Sequence, residues 1–384
     1  MKAATQRRSG EATKARQARV SHGVASCLRN FVAPLILTSI IAGASAAVPE
    51  ISPHPNQVRG DEITPAQQEA VRRGLEWLSK QQQRDGRFGA GGEGFGASSG
   101  ITSLAAIAFM ADGNLPGRGK YGENVQRAVD YILRSAQESG LLAAETAHGV
   151  MYSHGFATLF LAEVYGMTQD EQVKEKLQKA VRLIQKTQNV QGGWRYMPVP
   201  ADADVSVTIC QVMALRAARD AGIKVEKDVI DRAVDYVRKC QNPDGGFSYM
   251  LGSSGRGEGG SAFPRSAAGV ATLYYAGIFE GEDIKRGLAY IRQFTPGRSG
   301  AAGNIGGHYY YGHYYAVQAN FLAGGDYWKS WYPAIRDELI KRQMRENGRW
   351  TGEINDEYAT ACALIVLQMP NRYLPVFSGK GPGS

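Results

Sequence analysis

From Ala66 onward the hydrophobic positions fall into two alternating kinds of helical pattern. In stretches such as "AVRLIQKTQ" from Ala180 and "AVDYVRKCQ" from Ala233, apolar residues return every three or four positions with charges between them. That is the pattern of a helix buried along one stripe. Each is followed by a stretch with few charges and many Ala, Thr and Gly. "VTICQVMALRAARDAG" (Val207) and "YATACALIVLQM" (Tyr358) are examples, and others begin at Ile101, Gly155, Ala267 and Tyr314. Such a composition predicts a helix packed on most sides.

The first kind of stretch repeats a template. "GLEWLSKQQQRDGRF" (Gly74–Phe88), "AVRLIQKTQNVQGGW" (Ala180–Trp194) and "AVDYVRKCQNPDGGF" (Ala233–Phe247) share small–x–x–(aromatic or Leu)–aliphatic–x–x–x–Gln–x–x–x–Gly–x–aromatic. Degenerate copies start at Ala128, Gly287 and Glu338. The aliphatic anchors Leu78, Ile132, Ile184, Val237, Ile291 and Leu339 are spaced by 54, 52, 53, 54 and 48 residues. A period this regular is architecture. The expectation is an all-α chain of six hairpins, forming two concentric rings or, if the array stays open, a superhelical solenoid.

Charge changes the picture only at the N-terminus. Of the formal net charge of +8, residues 1–46 supply +6, through seven Lys or Arg against Glu11. The remainder lacks the basic footprint of a nucleic-acid binder. A basic region followed by "FVAPLILTSIIAGASAAVPE", with small residues Ala44-Ser45-Ala46 at its end, predicts an export signal over 1–46. The apolar run Phe31–Val48 is barely long enough for an anchor and contains Pro34, so cleavage and a periplasmic or extracellular destination are expected. A polar linker is expected over 47–65, the helical repeat over 66–377 and a disordered tail over 378–384. Cys210, Cys240 and Cys362 are too few and scattered for a disulfide framework and read as buried small hydrophobes.

The Gln–x–x–x–Gly–x–Trp template resembles the repeats of terpenoid cyclases, squalene cyclases and protein prenyltransferase β subunits, and the resemblance covers about Ala66 to Phe377. It implies a single α6/α6 toroid with a cavity at the centre of the inner ring. The template's own physics is structural. The glutamine amide can bridge backbone groups, the glycine permits positive φ, and the aromatic ring packs on the neighbouring hairpin.

In class II cyclases of this resemblance an Asp–x–Asp–Asp motif opens an inner helix, and its middle carboxyl protonates an alkene. The counterpart here is "ADADVSVTICQVMAL". Matching acids directly gives Asp202–Ala203–Asp204–Val205, without the last carboxylate. Matching the following helix puts Asp204 first and Ser206 in the donor's place, and is the preferred alignment because an inner ring tolerates no gap. Asp204 or Ser206 is equally a favoured N-cap, so capping is the main expectation and a catalytic role for Asp202 or Asp204 the lesser one. The zinc site of the prenyltransferases has no counterpart. Thr208 stands where an Asp should precede Cys210, and His313 alone is no site. Neither a metal nor a cofactor is implied.

"GGHYYYGHYYAVQ" and "AETAHGVMYSHGF" put His308, Tyr311 and His313, and His148, Tyr152 and His154, at the mouths of two inner helices. With Trp194 and Asp356 they are the expected lining of the cavity, suited to carbocation or sugar. The alternative is tyrosines packed between hairpins. The expected partner is an apolar, isoprenoid-like molecule or a glycan, with membrane proximity, no nucleic acid and no protein partner specified. A carbohydrate-active toroid would rely on Asp356, Glu357 and Arg265, with Glu258 and Arg265 on a loop over the same face. A non-catalytic scaffold is the third reading. Glycine-rich runs at Gly89 and Gly255 follow no strand and are not phosphate loops.

Overall fold

A computed structural model describes residues 62–89, 98–144, 149–252, 259–297 and 307–377. The expected export signal, nearly all of the linker, the C-terminal tail, His148 and Glu258 lie outside these residues. All the helices belong to the compact unit Ile51–Ser384. Six amphipathic helices alternate with six buried ones. The first set is α1 (Pro65–Gln81), α3 (Gly122–Ser135), α5 (Glu171–Lys186), α7 (Lys227–Lys239), α9 (Glu282–Arg292) and α11 (Gly325–Arg342). The second is α2 (Ser99–Met110), α4 (Val150–Thr168), α6 (Val205–Asp220), α8 (Phe263–Tyr275), α10 (Tyr309–Ala323) and α12 (Asp356–Gln368).

Patterning decides the layer of each helix. Helix α5 buries Val173, Leu177, Ala180, Val181 and Ile184 and leaves its charged side in water. Every residue of α2 is buried. Helix α2 packs on α4, α4 on α6, α6 on α8, α8 on α10, α10 on α12, and α12 returns to α2. The inner ring is closed, which excludes the open solenoid. All six template anchors are buried in the core.

The template closes the outer ring as well. Gln188 Nε2 donates to the Gly192 carbonyl of its own turn and to Val229 at the start of α7, both at 2.8 Å. Its Oε1 accepts from Arg232 Nε at 2.9 Å. Gln82 spans to Asn124 of α3 and Gln241 to Asp283 of α9 in the same manner. Gln343 reaches the Ala70 carbonyl of α1 at 2.8 Å, joining the last outer helix to the first. The glycine is needed because the turn lies against that next helix. Gly192 has φ +100°, and a Cβ there would sit 2.1 Å from the Arg232 carbonyl oxygen. The aromatic residue is buried in each full copy, and Trp194 Nε1 donates to the Ile184 carbonyl at 2.7 Å.

Beyond α12, short 3-10 turns at Met369–Asn371 and Pro375–Phe377 lie at the C-terminal end of the inner ring. Leu374, Val376 and Phe377 are buried there, and the Val376 N–H donates to Glu163 Oε1 of α4 at 3.3 Å. Burial raises the Glu163 pKa to about 8.

Candidate functional site

Each hairpin runs from outer to inner helix, so the inner helices are parallel and present their N-termini, and half a unit of positive dipole each, at one mouth. Their N-caps are Ser98, Gly149, Asp204, Ala262, His308 and Asn355. One of the six is a carboxylate. The Asp204 N–H bonds the Trp194 carbonyl at 3.0 Å, which fixes the end of the proline-bracketed loop against the template turn. Oδ1 then accepts from the Val207 N–H at 2.7 Å, a conventional cap.

The rest of the Asp204 environment is unusual for a cap. The side chain is wholly buried, and Oδ2 has no hydrogen-bond partner. Arg195 Nε stands 3.8 Å from Oδ2, too far for a hydrogen bond. Burial raises the Asp204 pKa to about 6, against the opposing pull of the Val207 N–H, the Tyr249 hydroxyl and Arg195. Asp202 is exposed and bonds Arg195 Nη1 at 2.5 Å. The Arg195 guanidinium also lies over the Tyr196 ring, 5.0 Å from its centre, and the Tyr196 and Tyr249 hydroxyls bond each other.

Tyr152, Tyr249 and Tyr311 lie about this carboxyl, with Tyr196 bonded to Tyr249 and Tyr358 next to Tyr311. Tyr152, Tyr196, Tyr249, Tyr311 and Tyr358 are all half-buried. Desolvation foremost, and then the Asp204 charge, push the Tyr152 hydroxyl well above its ordinary pKa. Tyr311 is likewise raised, by desolvation foremost, then by Cys210 and after it Asp204. Tyr152, Tyr249, Tyr311 and Tyr358, all raised by burial, stay protonated at any ordinary pH and act as donors and π faces. Tyr311 Oη donates to the Ser206 carbonyl at 3.1 Å and so bridges α10 to α6.

Below this level the axis of the ring is occupied. Tyr314 of α10 meets Phe156 of α4, the helix opposite it in the ring, edge-on at 6.1 Å between centres. Tyr315 reaches Cys210 of α6, its hydroxyl 3.2 Å from Sγ. Both tyrosines are essentially inaccessible to solvent. The expected deep central cavity is therefore interrupted by α10 side chains, and the tyrosine-walled region around Asp204 lies on the mouth side of them.

The other expected lining residues are not gathered here. His154 Nδ1 accepts from the Leu142 N–H at 3.1 Å. In other hairpins that role belongs to a hydroxyl: Thr102 for Phe88, Thr208 for Trp194, Ser266 for Phe247 and Thr360 for Trp350. His154 of α4 is thus the second hairpin's version of an internal brace, and burial lowers its pKa to about 4. His313 sits among Phe263, Tyr309 and Trp331, its pKa lowered by burial to about 3. His308 is exposed, at φ +71°, with its N–H on Glu353. Asp356 pairs with Arg349 Nε at 2.8 Å, and Arg265 Nε donates to the Phe247 carbonyl at 3.1 Å. Trp194 backs the mouth from within the hairpin. Cys210, Cys240 and Cys362 are free and buried. Among the described residues no three His, Cys, Asp or Glu side chains converge as metal ligands.

Arg195, Tyr196 and Tyr249 went unnoticed in the sequence. A signal existed: each is one or two places after the aromatic residue of a full template copy, at the edge where the chain turns toward an inner helix.

The family model for the prenyltransferase α–α toroid domain matches residues 60–303. A drimenyl diphosphate synthase from Streptomyces showdoensis is 26% identical over 166 residues, 42% of this chain and 29% of that protein. The chain thus matches less than a third of that relative's length. Among solved structures, a type II terpene cyclase from Scytonema in complex with geranylgeranyl dihydroxybenzoate superposes with a TM-score of 0.55 at 13% identity, covering 80% of this chain and 98% of the cyclase. An inactive variant of an α-1,6-mannanase from Salegentibacter sp. HEL1_6, in complex with α-1,6-mannotetrose, gives a TM-score of 0.59 at 11% identity, covering 80% and 99%. At such identities the likeness concerns the fold, which serves proteins of quite different ligands.

Proposed function

The chain belongs to the prenyltransferase α–α toroid family, and on that premise we propose that it is an exported toroid that takes an apolar, unsaturated ligand at its tyrosine-walled mouth and protonates it from Asp204. The observation that carries this reading is the free Oδ2 of Asp204, buried among tyrosines on a carboxyl whose pKa is raised to about 6. Oδ1 is engaged by the Val207 N–H, so a proton added to the carboxyl resides on Oδ2. The π pair of a ligand alkene takes that proton and forms a C–H bond, leaving Asp204 as carboxylate and a cation on the adjacent carbon. The tyrosine faces stabilise the cation. Loss of a neighbouring proton restores a double bond and completes an isomerisation or cyclisation.

This reading favours the direct alignment, with Asp204 in the middle place, over the one that left Ser206 as donor. Asp204 has the burial and the raised pKa that a proton donor requires; Ser206 has no acidic proton to give. Export rests on the basic and apolar pattern of residues 1–46. A glycan reading is supported less, because Asp202 and Asp356 are tied to Arg195 and Arg349. A non-catalytic scaffold is favoured by one observation, the axis filled by Tyr314 and Phe156.

The test begins with organic extraction of protein purified from its extracytoplasmic compartment and mass spectrometry against a mock preparation. N-terminal sequencing of the same sample reads the cut expected after Ala46. The protein is then incubated with farnesyl and geranylgeranyl compounds in D2O. Deuterium in a recovered isomer or ring product, lost in Asp204→Asn, supports the proposal. No bound lipid and no deuterium uptake by any of them would leave the scaffold reading standing.

A further inference from the structure

Two buried and complementary atoms face each other at the mouth without bonding. Arg195 Nε is a donor with no hydrogen-bond partner, and Asp204 Oδ2 is an acceptor with none; they stand 3.8 Å apart. A guanidinium and a carboxylate that close together would form a charge-assisted pair about 2.8 Å long. Something holds this pair open. Arg195 is held on its other side by Asp202, which bonds Nη1 at 2.5 Å, and its plane lies over the Tyr196 and Tyr249 rings. Of these contacts, the Asp202 carboxylate supplies the directional pull away from Asp204. Asp202 and Asp204 are two residues apart in an extended segment, a spacing that puts their side chains on one side of it, and both approach the Arg195 guanidinium. One is exposed and the other is wholly buried.

We propose that Asp202 is a positioning residue: by holding the Arg195 guanidinium at Nη1, it keeps Nε off Asp204 Oδ2 and keeps Asp204 able to carry a proton. The proposal deepens the reading of Asp204 as the acid and rests on it for its purpose, while its geometry stands independently. A cation in full contact would fix Asp204 as carboxylate. The other titratable groups facing Asp204 are Tyr152 of α4, Cys210 of α6, Tyr236 of α7 and Cys240 just after it, Tyr311 of α10, and Tyr249. Burial raises the pKa of every one, so all six remain neutral through the pH range in which Asp204 titrates. Burial sets the raised midpoint of Asp204, and Arg195 is the charge that opposes it.

The test is the titration of Asp204 in the full chain, carrying carboxyl-labelled aspartate and followed by carbon NMR, with Asp204→Asn identifying the signal. In Asp202→Ala the midpoint should fall by about one pH unit, so that about tenfold less of the acid form is present at pH 7. Loss of the Asp202 charge alone also lowers the midpoint, so the change is repeated in an Arg195→Met background. There it should be less than about a third as large, since the coupling runs through the arginine. Equal shifts in the two backgrounds, or no shift in either, would overturn the proposal. Neither outcome depends on a product being formed, so failure here is distinguishable from failure of the proposed chemistry. If Arg195→Met does not fold, Arg195→Gln replaces it, removing the charge while keeping a polar side chain, and the same comparison applies.

Discussion

Replacing Asp204 with Asn should make the protein more stable at neutral and alkaline pH while removing its proposed acid. Asn caps a helix about as well as Asp, and its amide oxygen can keep the Val207 N–H bond. What it removes is the cost of ionising a buried carboxyl. The rise of the Asp204 pKa from 3.8 to about 6 corresponds to about 3 kcal/mol at about 1.4 kcal/mol per pH unit. A raised value means that the folded state holds its proton more tightly than the unfolded one. Protonation of Asp204 therefore supports the fold fully below about pH 3.8, and that support is lost as pH rises through 6. At pH 8 the wild type carries the whole penalty and Asp204→Asn carries none. For a domain of this size the difference is roughly 5 °C in Tm. Calorimetry of both proteins at pH 5, 6.5 and 8 reads it, with the gap between them widening with pH. An Asp204→Asn protein no more stable than wild type at pH 8, or a gap independent of pH, would refute the account of this carboxyl as a destabilised acid.

Other outcomes follow from the braces around the rings. Gln343→Ala should cost about 1–3 kcal/mol in denaturant unfolding, as much as Gln188→Ala, because each removes two hydrogen bonds that tie a template turn to the next outer helix; an insensitive Gln343 would mean that the ring is open in solution. Gly192→Ala combines a positive φ with a Cβ 2.1 Å from the Arg232 oxygen, and should fail to accumulate as folded protein in a solubility and circular dichroism screen. Glu163→Gln should be close to neutral at pH 7, where the wild-type side chain is mostly protonated, and stabilising at pH 9, because a pKa raised to about 8 loses its contribution as pH rises through that value; equal effects at both pH values would contradict this.

The repeat was readable because its period is set by local chemistry. The Gln, the Gly and the aromatic ring lie within seven residues of one another, so the pattern survives whatever the loops do. Closure was not readable, since it depends on Gln343 meeting Ala70, residues 273 apart, and no local pattern encodes that meeting. The capping role of Asp204 was legible from its place before an apolar helix. Its burial was not, because burial is supplied by tyrosines on α4 and α10 and by the loop that carries Tyr249. The histidines misled for a related reason. Their proximity to aromatic runs suggested a lined cavity, yet His154 fills a brace position that Thr or Ser fills in four other hairpins. The variable loop between the aromatic residue and its brace, 14 residues for Trp194 and 10 for Trp350, hid the equivalence.

That equivalence can itself be tested at His154. If its work is to accept the Leu142 N–H, then threonine, the residue used at Thr102, Thr208 and Thr360, should serve in its place. Threonine is smaller than histidine, so some packing is lost around a side chain that is wholly buried. His154→Thr should therefore cost about 1–2 kcal/mol. His154→Ala loses the packing and also leaves the Leu142 N–H buried without a partner, which adds about 1–3 kcal/mol. Urea unfolding of the two variants separates the roles, and the proton-uptake assay separates structure from chemistry. A brace predicts the order wild type, Thr, Ala in stability with unchanged deuterium uptake per folded molecule. If both variants lost uptake equally while differing in stability, His154 would be acting on the ligand through its imidazole, and the assignment of Asp204 as sole acid would fall with it.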